Sequence, residues 1–350
     1  MSAAEGAQLR FIFEDARSVG CTARAGETVH TAARRAGIAL ESDCLEGACG
    51  ACKATLSAGQ VALQDYLQEA LSDEERAEGQ TLLCRAMAQG DCVIELPYDS
   101  ARALRRVPAR TLPARLAARR EIARNVIEID LALEAPPFDF LPGQYVNLKV
   151  TGSGLARSYS MAHAPRAEGP WTFAIRLLDS GAMSEWLRAA PEGAALEIEG
   201  PFGHFYLRAA ERPILMVAGG TGLAPMLAML EALALRHESG EGPVPPTCLL
   251  VGAGSPDELF GKDRIEGLRA RGLVIDLRLA AMKAPADWSD GHDGPVTELL
   301  QAGDVAQACD AYLCGPPGMI DAARGWLTAQ GVPAARIHAE RFLASGSGAR

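Results

Sequence analysis

The chain has 350 residues, of which 48% are hydrophobic, with nine cysteines and a formal net charge of −10. That length and apolar content suit two or three domains with real cores and exclude global disorder, and no apolar run reaches the roughly 18 residues of a transmembrane helix. The acidity excludes nucleic acid as the expected partner, and it is uneven: residues 1–100 hold 16 Asp and Glu against 8 Lys and Arg, a balance of −8, and the remainder carries −2.

In chain order, residues 1–97 predict a compact α+β unit. Stretches 9–14 and 17–24 suggest a hairpin, and 28–37 a short helix. A second short helix starts at Asp73, with Ser72 as N-cap, and 92–96 alternates as a closing strand. Between these lies the loop Cys44-Leu45-Glu46-Gly47-Ala48-Cys49-Gly50-Ala51-Cys52, and a fourth cysteine, Cys84, follows 32 positions on. Four thiolates in the order C-x4-C-x2-C and a distant Cys can hold a 2Fe–2S cluster. Small residues between the ligands let backbone N–H groups approach the sulfurs. Structural zinc is the weaker reading, because Cys84 stands alone rather than in a knuckle. Disulfides are also weaker, because residues 1–10 lack the apolar core of a signal peptide. The chain is therefore expected to be cytoplasmic, with Cys21, Cys92, Cys248 and Cys309 as reduced, small buried side chains.

Residues 98–115, rich in Pro and Arg, are expected to link domains. From 116 to 208, strand-like runs at 126–133, 144–150, 171–178 and 195–199 alternate with Gly and Pro turns, which suggests an antiparallel barrel. Arg157-Ser158-Tyr159-Ser160 lies in this region. On an extended segment Arg157 and Tyr159 share one face, where a guanidinium can clamp a pyrophosphate and a phenol can pack on a flavin ring. Ser160 offers a hydroxyl or a backbone N–H to the flavin's reactive nitrogen. The turn Gly181-Ala182-Met183-Ser184 offers N–H groups and a hydroxyl to phosphate, or serves as a plain helix cap.

From 209 to 345, strands at 214–218, 248–251, 273–279 and 311–314 alternate with helical stretches, the pattern of a parallel sheet flanked by helices. The first strand runs into Gly219-Gly220-Thr221-Gly222-Leu223-Ala224-Pro225. Such a turn brings a dinucleotide pyrophosphate to a helix N-terminus, or is merely a tight βα turn. A second turn, Gly252-Ala253-Gly254, is followed by Asp257 and Glu258 without a nearby Lys or Arg. Acids there accept ribose hydroxyls and repel a 2′-phosphate, so NADH is expected over NADPH. A third turn is Cys314-Gly315-Pro316-Pro317-Gly318, where Cys314 is either a nicotinamide contact or inert packing. Residues 346–350 read as a tail.

These pieces, with Gly200-Pro201-Phe202-Gly203 and Glu340-Arg341-Phe342, resemble a plant-type ferredoxin fused to the ferredoxin–NADP⁺ reductase superfamily. The likeness is strongest to reductase components of benzoate, toluate and anthranilate 1,2-dioxygenases. The resemblance implies a β-grasp 2Fe–2S domain, an antiparallel FAD barrel and a parallel-sheet NAD domain. It places Cys44, Cys49, Cys52 and Cys84 on iron, and Arg157, Ser158, Tyr159, Ser160, Gly181, Met183 and Ser184 on flavin. Gly220, Thr221, Gly222, Leu223, Ala224, Pro225, Cys314, Gly315 and Pro316 fall on nicotinamide positions, with Ser160 and Cys314 as catalytic candidates. Phe342 falls where the family brings an aromatic near the flavin; core packing is its alternative. NADH, FAD and 2Fe–2S would act in series, because a flavin can accept an electron pair and release it singly. The implied acceptor is the terminal oxygenase component of a dioxygenase, with no nucleic acid or membrane partner. A reductase for a di-iron monooxygenase, or a ferredoxin-type redox sensor or carrier without turnover, are the other readings.

Overall fold

A computed structural model describes residues 6–42, 45–48, 50–68, 70–98, 100, 110–242, 244–306, 308–333 and 336–342. The chain divides into two compact units, residues 1–107 and 108–349.

The first unit is a five-stranded mixed sheet with a helix packed on it. β1 (Ala7–Ile12) and β2 (Ser18–Ala23) form the expected antiparallel hairpin. β7 (Cys92–Glu95) lies parallel to β1. β3 (Lys53–Ala58) pairs antiparallel with β7 and with β5 (Gln80–Leu82), giving the order β2-β1-β7-β3-β5. β4 (Val61–Leu63) and β6 (Ala86–Ala88) form a separate ribbon. Helix α1 (Val29–Arg35) begins at Thr28, whose hydroxyl accepts the Thr31 N–H at 3.2 Å, and it buries Val29, Ala32 and Ala33. Helix α2 (Asp73–Ala77) starts as expected at Ser72 in a full capping box with Glu75. The core is apolar, with Leu9, Phe11, Leu82 and Ile94 at its centre.

In the second unit, six antiparallel strands come first: β8 (Arg110–Ala123), β9 (Val126–Leu133), β10 (Tyr145–Val150), β11 (Ala156–Ser160), β12 (Trp171–Arg176) and β13 (Ala195–Phe202). Their order is β11-β10-β13-β8-β9-β12. The Ala162 N–H donates to Thr172 O at 2.9 Å, tying the chain beyond β11 to β12 so that the sheet closes on itself. Trp171, Phe173, Ile129 and Ile198 fill the interior. Residues 110–115, read from sequence as linker, are the first half of β8 and pair with β13. Leu112, Ala114 and Leu116 alternate inward there, a period-2 signal masked by Pro113 and the arginines. Residues 101–109 of the expected linker, and the tail at 346–350, lie outside the described residues.

The second half of this unit is a six-stranded parallel sheet: β14 (Ile214–Gly219), β15 (Thr247–Ala253), β16 (Ile275–Ala281), β17 (His292–Asp293), β18 (Asp310–Gly315) and β19 (Ile337–Arg341). The order is β17-β16-β15-β14-β18-β19. Helices α4 (Leu223–Ser239), α5 (Lys262–Ala270) and α6 (Pro317–Ala329) flank it. The chain winds outward from β14 to β17, then returns to add β18 on the other side of β14. That reversal leaves a crevice at the carboxyl ends of β14 and β18, where open α/β sheets bind ligands.

Candidate functional site

Cys52 directly precedes β3 and Cys84 follows β5. The β3–β5 ladder sets Lys53 opposite Leu82, and the Leu83 N–H donates to Cys52 O at 3.1 Å. The ladder therefore brings two thiols 32 residues apart to an Sγ–Sγ distance of 3.2 Å, both buried. Gly47 and Gly50 both have φ of +73°. A side chain at Gly47 would strike Arg85 and Tyr66 at 2.8 Å, so the cluster loop needs glycine there for both conformation and space. Cys44 and Cys49 lie outside the described residues. The paired sulfurs of Cys52 and Cys84 and the glycine-shaped loop fit a 2Fe–2S cluster.

Of the remaining cysteines, Cys92 and Cys309 are buried, but Cys21 and Cys248 are only half-buried, against expectation. Both sit on sheet faces that their neighbours do not fully cover. Desolvation raises all four thiols, Cys248 to about 12.

On the barrel, the β10–β11 register sets Arg157 opposite Leu148 and Tyr159 opposite Val146. The two therefore share a face, as alternation requires. Tyr159 packs beside the barrel core, and desolvation pushes its hydroxyl up to about 12, so the phenol stays neutral. Ser158 points the other way and donates to Asn147 Oδ1 at 2.8 Å, so its hydroxyl is engaged within the sheet. Gly181 caps helix α3 (Ala182–Ala189) without any side-chain hydrogen bond. Met183 is buried in the barrel core, and the buried Ser184 hydroxyl accepts the Leu178 N–H at 2.9 Å. Both side chains therefore hold the turn from inside, and what the turn offers a phosphate is backbone N–H.

The glycine turn after β14 is tight for a specific reason. A Cβ at Gly222 would lie 2.1 Å from Cys314 O, and one at Gly219 would lie 2.7 Å from Pro316. The first and third glycine turns are thus packed backbone to backbone. Leu223, Ala224 and Pro225 are buried, so their side chains anchor α4 while Gly220 and Thr221 stay partly open. Gly315 is buried, Pro316 is exposed, and the Phe342 N–H donates to Gly315 O at 2.9 Å. The Phe342 ring packs against the apolar core of this sheet, as its core-packing alternative requires.

One residue absent from the sequence-derived site is decisive. β19 pairs with β18 so that Glu340 lies directly opposite Cys314. Glu340 Oε2 accepts from Cys314 Sγ at 3.9 Å and from Ser160 Oγ, which is 180 residues away in sequence, at 3.3 Å. All three are buried. Burial and the neighbouring Glu340 push the Cys314 thiol well up, so it is a neutral donor and not a nucleophile. The Ser160 strand of the barrel thus meets the carboxyl ends of β18 and β19. The uncapped turn at α3, the shielded Tyr159 and this polar trio fit a flavin on the barrel side and a nicotinamide on the sheet side. Glu340 was legible only as part of a terminal Glu-Arg-Phe motif, because no sixth strand is predicted there.

The second glycine turn differs from its sequence reading. Asp257 and Glu258 are not unopposed: Arg124 Nε lies 2.6 Å from Asp257, Arg124 Nη2 2.7 Å from Glu258, and Arg176 Nη2 3.5 Å from Glu258. Both arginines come from the barrel, from the β8–β9 turn and the end of β12. Beside this turn a slot of about 180 Å³ opens, lined by Val251, Pro256, Phe260, Lys262, Trp288 and Asp290 among others.

Three families match in sequence along the chain: a 2Fe-2S iron-sulfur cluster binding domain over residues 12–89, an oxidoreductase FAD-binding domain over 113–206, and an oxidoreductase NAD-binding domain over 216–325. The toluate 1,2-dioxygenase electron transfer component of Pseudomonas putida is 37% identical, over 95% of this chain and 97% of its own length. The 2-halobenzoate 1,2-dioxygenase electron transfer component of Burkholderia cepacia is 33% identical, over 94% and 96%. The crystal structure of the Amycolatopsis cytochrome P450 reductase GcoB superposes with a TM-score of 0.69 at 28% identity, covering 95% of this chain and 98% of that one. With 2Fe–2S, FAD and NAD modules in this order and near-full-length likeness, the chain belongs to the family of NADH-dependent flavin iron–sulfur reductases that form the electron transfer components of aromatic-acid 1,2-dioxygenases.

Proposed function

We propose that this chain takes electron pairs from NADH and hands them on singly to the terminal component of a benzoate-type aromatic-ring dioxygenase. The convergence of Ser160, Cys314 and Glu340 where the barrel meets the parallel sheet carries this reading. A bound FAD would supply two-electron acceptance from NADH and one-electron release toward a 2Fe–2S cluster. The chain's residues do the placing. Arg157 and the first-turn N–H groups of α3 hold phosphate, and Tyr159 shields a ring face. Ser160, Cys314 and Glu340 keep a fixed hydrogen-bond array beside the nicotinamide, with the Glu340 carboxylate as shared acceptor. The slot at Phe260 and Trp288 takes the adenine, with Lys262 and Asp290 at its mouth as donor and acceptor. We place the protein in the cytoplasm, without nucleic acid or membrane partners. The acidic balance supports this, and among the described residues no helix is long and apolar enough to cross a membrane.

The test is NADH-driven reduction of a purified benzoate-type terminal oxygenase. The full chain should reduce it. A fragment starting at Pro108, the edge of the second compact unit, should retain FAD and reduce ferricyanide but leave the oxygenase oxidised. Oxygenase reduction by the fragment, or a folded fragment without NADH–ferricyanide activity, would contradict the reading.

The acidic first unit is the proposed docking face. Glu46 is exposed and Glu41 half-buried beside the cluster loop; Asp43 lies outside the described residues. Exposed charges act more on association rate than on affinity. Replacing Glu41 and Glu46 with Gln should slow oxygenase reduction at low salt and flatten its salt dependence, as seen in stopped-flow traces. An unaltered rate across the salt series would remove these two carboxylates from the docking face.

A further inference from the structure

The contact between the barrel and the second glycine turn carries an inference beyond the assigned activity. Arg124, at the tip of the β8–β9 hairpin, makes four bonds to one short turn. Its N–H donates to Asp257 O at 2.8 Å, and its guanidinium meets Ser255 Oγ at 2.5 Å, Asp257 Oδ2 at 2.6 Å and Glu258 Oε1 at 2.7 Å. Glu258 Oε2 also accepts the Gly254 N–H at 3.3 Å and faces Arg176 at 3.5 Å. The Glu258 side chain is only 10% exposed, whereas both guanidinium side chains are about half exposed. The next cations along the chain are engaged elsewhere: Lys262 with Asp290, and Arg264 with Ala162 O, Glu128 and Glu231. Pro256, within the same turn, lines the aromatic slot, so an adenine seated there, as proposed above, would put its ribose at this turn.

We propose that Arg124 and Arg176 of the flavin barrel are latent 2′-phosphate ligands, and that Asp257 and Glu258 select NADH by occupying them. This rests on the NADH reading above. Guanidinium groups are strong phosphate partners, and two of them flank the site where a 2′-phosphate would arrive. For NADPH to use them, its phosphate must displace Asp257 and Glu258. That would leave Glu258, nine-tenths buried, as a charge without its cations, and such a charge is costly. A ribose hydroxyl demands no displacement. The choice is therefore made by occupied arginines and not by unopposed carboxylates, and the two accounts differ in what Arg124 does once the acids are neutralised.

The experiment compares the loaded full-length chain with Asp257→Asn/Glu258→Gln and with the same pair combined with Arg124→Ala. Two quantities are read: binding of 2′-phospho-AMP relative to AMP by calorimetry, and the NADPH-to-NADH ratio of kcat/KM. Both should rise by about tenfold in the double variant, the scale of one released charge-assisted contact, and fall back toward the parent once Arg124 is removed. A gain that persists without Arg124 would mean that the acids act by repulsion alone, and no gain while AMP still binds would also overturn the proposal. Should the double variant lose AMP, the single Asp257→Asn change at an exposed position decides the same way, with an expected gain of about threefold. Failure of NADH to reduce the parent protein would instead defeat the functional reading; an unmoved ratio with active NADH defeats only this inference.

Discussion

Replacing Glu340 with Gln should slow reduction of the bound flavin by NADH about a hundredfold, the usual cost of losing one preorganised polar group at a reacting centre. Glu340 Oε2 is the common acceptor for Ser160 Oγ and Cys314 Sγ, so it fixes the orientation of both hydroxyl and thiol. The amide keeps the volume but loses the charge that two donors share. It also removes the carboxylate that contributes to raising the Cys314 thiol. Glu340 is a positioning residue in this account, so the fall should lie in the limiting rate of stopped-flow flavin bleaching more than in the apparent NADH affinity. Glu340→Asp should recover part of it. A limiting rate within about threefold of the parent would show that the trio does not organise the transfer.

Replacing Cys84 with Ser should lower NADH-driven oxygenase reduction by more than about a hundredfold, because a serine hydroxyl is a poor iron ligand and the single-electron exit is lost. Cys84 shares a 3.2 Å sulfur contact with Cys52, and the β3–β5 ladder ties the two segments by backbone hydrogen bonds. The polypeptide should therefore fold, lose iron and sulfide by colorimetric assay, and keep its NADH–ferricyanide turnover, because the flavin and nucleotide residues belong to the other compact unit. Full iron content with undiminished oxygenase reduction would remove Cys84 from the ligand set. Loss of ferricyanide turnover would mean that the two units are not separable in function.

Much of this protein is written in local sequence. The hairpin β1–β2, helix α1, the capped start of α2, and strands β9, β14 and β18 follow from turn residues and from period-2 or continuous apolar runs. The four-cysteine spacing and the three glycine turns name their chemistry because each is a contiguous or nearly contiguous motif. β8 was misread because Pro113 and the arginines mark a linker by composition, although Leu112, Ala114 and Leu116 keep a strand period beneath them. β19 was missed because five residues with one deeply buried apolar side chain carry little periodic signal.

What sequence alone determined is the inventory: one cluster loop, one Arg-x-Tyr-Ser strand, three glycine turns and the order of three modules. These depend on residue type and short spacing, which the chain displays directly. Only the tertiary structure decided which groups meet. Glu340 reaches Cys314 through a parallel ladder and Ser160 across 180 residues. Arg124 and Arg176 arrive from another sheet to neutralise an acidic turn that is unopposed along the chain. Such contacts are set by sheet order and register over long loops. No local pattern encodes them, because a charge or a hydroxyl looks the same in sequence whatever partner the fold brings to it.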